Sequence, residues 1–566
     1  MGIYDNRYKI FGLIVMLVSV IVIAVVLFFV LKGNGHNVKD KPPNIVIILG
    51  DDVGWNDVGF HGSNQIPTPN IDALAYNGVI LNRFYTQAVC TPSRAALLTG
   101  YYPIRAGLQG LPLNDGQNYT LPIHFSLLPE KLKDLGYSTH LVGKWHLGFT
   151  NTSATPLARG FDTYFGYWTG FMTYRSHMRA VSNMTGFSLR EGIRAAWEYQ
   201  GRYITDVFTE KAIDIINDHN DESPFFLFLS HLAAHSNGTI TEPKDIEQAN
   251  KRFNYIESEE RRLFADVVTD LDRSVGEVVN ALEYNGILEN TIILLFMDNG
   301  AEVRGYYPNG GSNWPLRGQK YTLFEGGVRG TAVLYSSKIS NRSVISNELM
   351  HVTDVFPTLY EAAGGDVNTL GNLDGVSQWE TLTKTKPSPR NEILINIDEV
   401  NGTSAIIGYG GKYKLVNGTF LNGSMDVYFG PSGRGQQSNS EYNFTEILES
   451  RTNRAFQSAR LESLTESEIA ELRQKLNLEN CRDLVETIVD CTELCLFDLQ
   501  QDPCETVDIK ESYPEIVQNL SSQVEQYWRE IVLQPGRYVD PNANPDRCSN
   551  SWFPWLDEHY EIYCTI

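Results

Sequence analysis

Two apolar runs of this 566-residue chain end in acidic dipeptides. NIVIILG (Asn44–Gly50) leads straight into Asp51-Asp52, and the run beginning TIILLF (291–296) leads into Asp298-Asn299. In an open parallel sheet, ligands gather outside the carboxyl ends of the strands, so two such ends would bring three carboxylates and an amide oxygen together. Carboxylates do not crowd without a cation. An all-oxygen set lacking His or thiolate ligands favours a hard ion, Ca²⁺ first and Mg²⁺ second. Taken singly, each dipeptide also reads as turn or helix-cap residues after a strand. A lone cysteine, Cys90, stands far upstream of the other six. In isolation it reads as a buried structural thiol; in a reactive setting it would be a nucleophile.

The surroundings of Cys90 decide between these readings. Cys90-Thr91-Pro92-Ser93-Arg94 followed by Ala95-Ala96-Leu97-Leu98-Thr99-Gly100 resembles the signature of the type I sulfatases, and GYSTHLVGKWHLG at 136–148 resembles their second signature. Each fixes many positions over more than ten residues. RGFDTYFGY (159–167) and NWPLRGQKYTLFEGGVRG (313–330) are similar to the arylsulfatase B branch, the N-acetylgalactosamine-4-sulfatases. The resemblance runs from about Pro43 to the C-terminus and is weaker in the second half; it does not extend to the apolar N-terminus or the six-cysteine tail.

The resemblance implies that Cys90 is converted to formylglycine (3-oxoalanine) by a formylglycine-generating enzyme in the endoplasmic reticulum. A hydrated aldehyde carries two hydroxyls on one carbon, one to attack sulfur and one to expel sulfate as the carbonyl returns, so a hard step is split into two easier ones. It also implies a Ca²⁺ ion held by Asp51, Asp52, Cys90 in its converted form, Asp298 and Asn299. Arg94 would brace the diol and the acidic residues. Lys144 and Lys320 would stabilise sulfuryl oxygens, and His146 would take the proton of the second hydroxyl. His235, with Lys320, would donate to the leaving alcohol. The usual His-x-Pro after the FLFL strand is absent here, with Ser236-Asn237 in its place; spacing puts His235 rather than His231 in the family position, and His231 takes the structural role.

These residues need a scaffold of strand ends. Short β-branched or aromatic runs recur at 44–50, 225–229, 291–296 and 332–335, with helical patterns between them at 69–77, 127–135 and 261–282 and a closing helix near 354–363. Alternating strands and helices argue an α/β fold, a mostly parallel sheet flanked by helices; the resemblance makes it alkaline-phosphatase-like. The polar, Pro-containing stretch 383–390 reads as a junction. Beyond it, strand-like pieces at 391–397 and 412–416, several Asn-Gly turns and a helix over 513–532 predict a smaller C-terminal α+β domain with an antiparallel sheet. The expected organisation is a cytosolic 1–10, an apolar 11–31, a linker 32–42, a catalytic domain 43–385 and a C-terminal domain 386–566.

The run 11–31 is uncharged and long enough to span a bilayer, as a signal anchor or as a cleaved signal. N-x-S/T occurs at Asn118, Asn151, Asn183, Asn237, Asn341, Asn401, Asn417, Asn422, Asn443 and Asn519, which places the body in the lumen or outside the cell. A glycan at Asn237 would stand close to the pocket. The expected location is the secretory pathway, membrane-anchored, or lysosomal or secreted if the segment is cleaved. An oxidising compartment would pair the last six cysteines. Sequence proximity pairs Cys495 with Cys504, Cys481 with Cys491 and Cys548 with Cys564.

With 46 Lys+Arg against 68 Asp+Glu, the formal charge is −22, which excludes a nucleic-acid binder and disfavours long polyanions. A phosphatase or phosphodiesterase on the same fold would carry Ser or Thr at the nucleophile position and clustered metal-binding His, which this chain lacks. A fold kept only for binding would be expected to have lost one of Cys90, Arg94, Lys144 or the Asp-Asn pair. The expectation is therefore a sulfuric ester hydrolase acting on aryl or sugar O-sulfates. By resemblance these include sulfated N-acetylgalactosamine ends of dermatan or chondroitin sulfate, or small sulfated glucosides such as glucosinolates. Small esters are expected to turn over at least as well as polymer.

Overall fold

The computed structural model describes residues 16, 41–220, 222–339, 342–429, 433, 441–459, 464–478, 481 and 488–564. The chain divides into Met1–Pro42 and a compact unit Pro43–Ile566. The spanning reading of 11–31 (but for Met16) and the sequon at Asn341 lie outside the described residues. Among the described residues, no helix is long and apolar enough to cross a membrane.

Ten strands form one large sheet: β1 (Asn44–Gly50), β2 (Val79–Leu81), β3 (Ser138–Lys144), β4 (Thr163–Tyr167), β5 (Leu189–Glu191), β6 (Arg194–Ala195), β7 (Phe225–Ser230), β8 (Thr291–Met297), β9 (Ala332–Tyr335) and β10 (Val344–Ser346). Their order across the sheet is β10-β2-β9-β8-β1-β7-β3-β4-β5-β6. The central five, β8-β1-β7-β3-β4, are mutually parallel; β9 and the far edge strand pairs run antiparallel. β1 is buried along its whole length, as a strand covered on both faces must be. Its side chains alternate between two cores. Val46 and Ile48 face helices Pro69–Asn77 (α1), Ile204–Asn217 (α4) and Glu259–Tyr284 (α5). Ile45, Ile47 and Leu49 face Cys90–Thr99 (α2), Leu128–Asp134 (α3) and Val355–Ala362 (α6). The register matters for chemistry: Gly50 of β1 pairs with Met297 of β8, so the two acidic dipeptides emerge side by side.

Past the polar stretch 383–390, four antiparallel strands form a separate sheet in the order β11 (Ile393–Asp398), β12 (Thr403–Gly408), β13 (Tyr413–Asn417) and β14 (Cys495–Asp498), covered on one side by α7 (Pro514–Trp528). The expected mostly parallel sheet and smaller antiparallel one are both present.

The cysteine pairing corrects two of three expectations. Cys548 bonds Cys564, but Cys481 bonds Cys504 and Cys491 bonds Cys495. Proximity in sequence ignored the strand. β14 begins at Cys495 and carries the chain away from its preceding turn, so Cys495 closes that turn onto Cys491 (Cα–Cα 5.3 Å). Cys504, beyond the strand, meets Cys481 at 5.9 Å, within the span a disulfide bridges.

Candidate active site

The first two elements to meet are the ends of β1 and β8. Asp51 and Asp52 follow β1 directly, with Asp52 in the left-handed backbone region (φ 58°), which turns the two carboxylates in different directions. Asp298 and Asn299 follow β8. The amino end of α2 enters beside them with Cys90 as its first residue. Pro92 is accommodated within the first turn, where a missing N–H costs no intrahelical bond. Ser93 Oγ donates to the Asp298 carbonyl and ties α2 to the end of β8. The Cys90 sulfur and carboxylate oxygens of Asp51 and Asp298 lie within 4.8 Å of one another, all buried.

Each acidic residue is matched to a base. Arg94, one turn along α2, donates to Asp298 Oδ2 at 2.9 Å and to Ser230 Oγ at the end of β7, and lies 3.9 Å from Asp51. Lys144, the last residue of β3, holds Asp51 Oδ2 at 2.6 Å. Lys320 sits between Asp52 Oδ2 (2.7 Å) and Glu302 Oε2 (3.2 Å). Asn299 Nδ2 donates to Asp52 Oδ1 at 2.7 Å, which turns its own carbonyl oxygen away from Asp52. That oxygen and Asp51 Oδ1 are buried with no hydrogen-bond partner. An unsatisfied buried oxygen is costly. Two of them beside the Cys90–Asp51–Asp298 cluster are the donor chemistry of a hard-cation site. The charge balance agrees: burial, then Asp51, pushes Asp298 up to about 6, and burial raises Asp52 against the pull of Lys320. The residues present fit an oxygen-ligated cation.

The histidines are sorted by their hydrogen bonds. His231 points behind β7 to Ser274 Oγ (3.0 Å) on α5, away from the acidic cluster. His235 turns back to it: Nδ1 donates to the Ser236 carbonyl (2.6 Å), leaving Nε2 as an acceptor 3.4 Å from Lys320 Nζ. His146 donates from Nε2 to the Leu113 carbonyl (3.1 Å), leaving Nδ1 buried and unpartnered. Burial, reinforced by Lys144 for His146 and by Lys320 for His235, holds both imidazoles well below their usual pKa, hence neutral. Lys320 goes the other way; burial opposes its charge, but Asp52 and Glu302 lift it well above the ordinary lysine value. Burial pushes the Cys90 thiol up to about 11 despite both lysines. Gly170 closes the wall because a side-chain carbon there would stand 2.9 Å from His146 Nε2.

Above this floor opens a cleft of about 270 Å³ lined by Cys90, His146, His235 and Lys320 below and by Phe171, Tyr306, Tyr307, Tyr321, Arg179 and Arg537 at its sides. Several of these went unrecognised in sequence. Glu302 is a single acidic residue in a glycine-rich loop. Arg179 ion-pairs with buried Asp115 and stacks on Phe171, which in turn stacks on His235 (centroids 4.8 Å). No motif marks these residues; only the folded loops bring them together. The sequons at Asn118, Asn183, Asn401, Asn417, Asn422, Asn443 and Asn519 are exposed, and those at Asn151 and Asn237 are half-buried.

Comparison with known proteins agrees with this geometry. The sulfatase family model matches residues 43–365. Arylsulfatase J of Mus musculus is 35% identical over 523 residues, covering 91% of this chain and 81% of its own. N-acetylgalactosamine-6-sulfatase of Mus musculus is 33% identical over 367 residues, 61% of this chain and 67% of its own. Among solved structures, Ps i-CgsB in complex with k-i-k-neocarrahexaose superposes with a TM-score of 0.68 at 25% identity, over 88% of this chain and 96% of that one.

Proposed function

This chain belongs to the sulfatase family and is a sulfuric ester hydrolase; from that premise we propose that it works through formylglycine at position 90 with Ca²⁺ among Asp51, Asp52, Asp298 and Asn299. One observation carries the reading: Cys90 and Lys320 line the base of one cleft, and Cys90 clusters with Asp298 and with Asp51, which keeps an unpartnered buried oxygen and is held by Lys144. A thiol at about 11 is protonated at neutral pH and is a poor nucleophile as it stands, which supports its replacement by other chemistry. Bound, the ion and the hydrated aldehyde would supply a polarised sulfate oxygen and an acidified hydroxyl.

The remaining roles belong to side chains of the chain itself. Lys144 and Lys320 are fixed by Asp51, Asp52 and Glu302, so their ammonium groups need little reorganisation to meet charge growing on sulfuryl oxygens. Arg94 holds Asp298 and the end of β7, keeping the floor rigid. His146 Nδ1 is the free proton acceptor on the cleft floor. His235 Nε2 accepts from Lys320, which orients the lysine toward the leaving alcohol and gives its proton a path back. Three disulfides and the exposed sequons support a secretory-pathway protein that meets the formylglycine-generating enzyme in the endoplasmic reticulum.

A cleft of about 270 Å³ walled by aromatic rings suits one aryl or sugar ring rather than a threaded chain. Sulfate release from methylumbelliferyl sulfate, sulfated N-acetylgalactosamine and intact chondroitin or dermatan sulfate tests this. The small esters are expected to be cleaved at least as fast. Comparable or faster release from the intact polymers contradicts the substrate reading, and no release from any of them contradicts the activity.

A further inference from the structure

The cations that line or floor the cleft are not equivalent. Arg94, Lys144, Lys320 and Arg179 each have a carboxylate within 4.0 Å, so their charge is largely answered inside the protein. Arg537 has no ion-pair partner among the described residues. It comes from the C-terminal segment, which is fastened to the body on either side of it: Gln534 bonds Asp398 and Glu399, Gln117 Nε2 donates to the Gly536 carbonyl, and Asp540 N donates to the Gly116 carbonyl. The guanidinium is oriented by two bonds, Nη1 to the Leu111 carbonyl and Nη2 to Asn114 Oδ1, each 3.0 Å. These come from the same 111–114 loop whose Leu113 carbonyl fixes His146. A guanidinium has five N–H donors in a planar fork, so with two anchored the others remain for a ligand. Arg537 is therefore an oriented, uncompensated positive charge on the wall of the cleft that holds Cys90.

A neutral monosulfated substrate would leave that charge idle. We propose that Arg537 binds a second anionic group of the substrate, a carboxylate or a further sulfate on the ring next to the one being desulfated. The proposal rests on the sulfatase reading above and narrows its substrate class to short acidic sulfated saccharides. An arginine fork pairs with either oxyanion through parallel N–H···O bonds. A local cation is also what a chain of net charge −22 needs in order to draw an acidic substrate to this mouth.

Three sulfated disaccharides that differ only in the neighbouring sugar test it: neutral, uronate-bearing, or carrying a second sulfate. Turnover by the unaltered enzyme reads the sulfatase activity itself; the ratio of kcat/KM between charged and neutral substrates reads Arg537. Arg537→Gln and Arg537→Ala are expected to reduce that preference about tenfold, mainly through KM, with Arg537→Lys in between. The substrate whose preference collapses identifies the anion, uronate or sulfate. A preference unchanged in both variants, or an equal loss on all three substrates as expected of a purely structural strap, overturns the assignment.

Discussion

Of the buried charge clusters among the described residues, two make an instructive pair, and only one of the two faces a cleft. At the ends of β1 and β8, Arg94, Lys144 and Lys320 oppose Asp51, Asp52, Asp298 and Glu302. Beside the small sheet, Lys414 of β13 is held between Glu325 (3.0 Å) and Glu505 (2.8 Å), all without solvent exposure. Tyr85 Oη donates to Glu325, and the Glu325 amide donates to Glu505, which locks the segment carrying Lys320 against the second sheet. Both clusters shift carboxyl groups upward by burial. Burial of charge is therefore not what marks the reactive site. The mark is oxygen with neither hydrogen bond nor close cation, at Asp51 Oδ1 and Asn299 Oδ1, near the Cys90 that lines the cleft; Glu505 Oε1 also lacks a hydrogen bond but lies 2.8 Å from the Lys414 ammonium. The Lys414 cluster spends its groups on one another; the other holds donors in reserve.

Substitutions can break this contrast. Lys320→Ala removes a cation from the reacting cluster, and kcat for sulfate release is expected to fall about 10²–10³-fold. A variant that folds and retains more than a tenth of the activity would move Lys320 out of that role. Lys414→Met leaves Glu325 and Glu505 buried without their cation. Denaturant unfolding should show a loss of about 3–5 kcal/mol, while the kcat of the folded fraction stays near that of the parent. A large kcat loss with unchanged stability would reverse the assignment of the two clusters.

The smallest effect concerns pH. Burial, outweighing Lys414 and reinforced by Glu325, raises Glu505 from 4.5 to about 7. The folded chain then holds a proton that the unfolded chain has released. Its stabilising share is complete below about 4.5 and is lost as pH rises through about 7. Glu505→Gln should flatten the decline of Tm between these limits by about a degree or two. An unaltered slope would mean that another group titrates there.

The same contrast explains what could be read in the sequence. The reactive cluster sits at strand ends, where long apolar runs such as NIVIILG announce a buried strand and the next residues announce its chemistry. β1, β9 and α1 begin and end where the pattern placed them, and β8 runs one residue further. The signatures around Cys90 and Lys144 then supplied the remaining roles by resemblance. Lys414, Glu325 and Glu505 carry no such pattern, because 89 residues separate Lys414 from Glu325 and their meeting depends on how the two sheets pack. Arg179, Asp115 and Arg537 were invisible for the same reason. Two of the three expected disulfides failed likewise, while Cys548–Cys564 held: spacing could not show that β14 would carry Cys495 and Cys504 apart. Local pattern reveals what a strand end does by itself, and nothing about groups that meet only through tertiary packing.

The central claim is that position 90 works as an aldehyde, and the most direct measurement is mass spectrometry of the tryptic peptide 84–94 from active protein made in a secretory host. The expected peptide is lighter than the cysteine form, resists thiol alkylation and reacts with carbonyl reagents. A fully alkylatable thiol at Cys90 in protein that releases sulfate at full rate would contradict it.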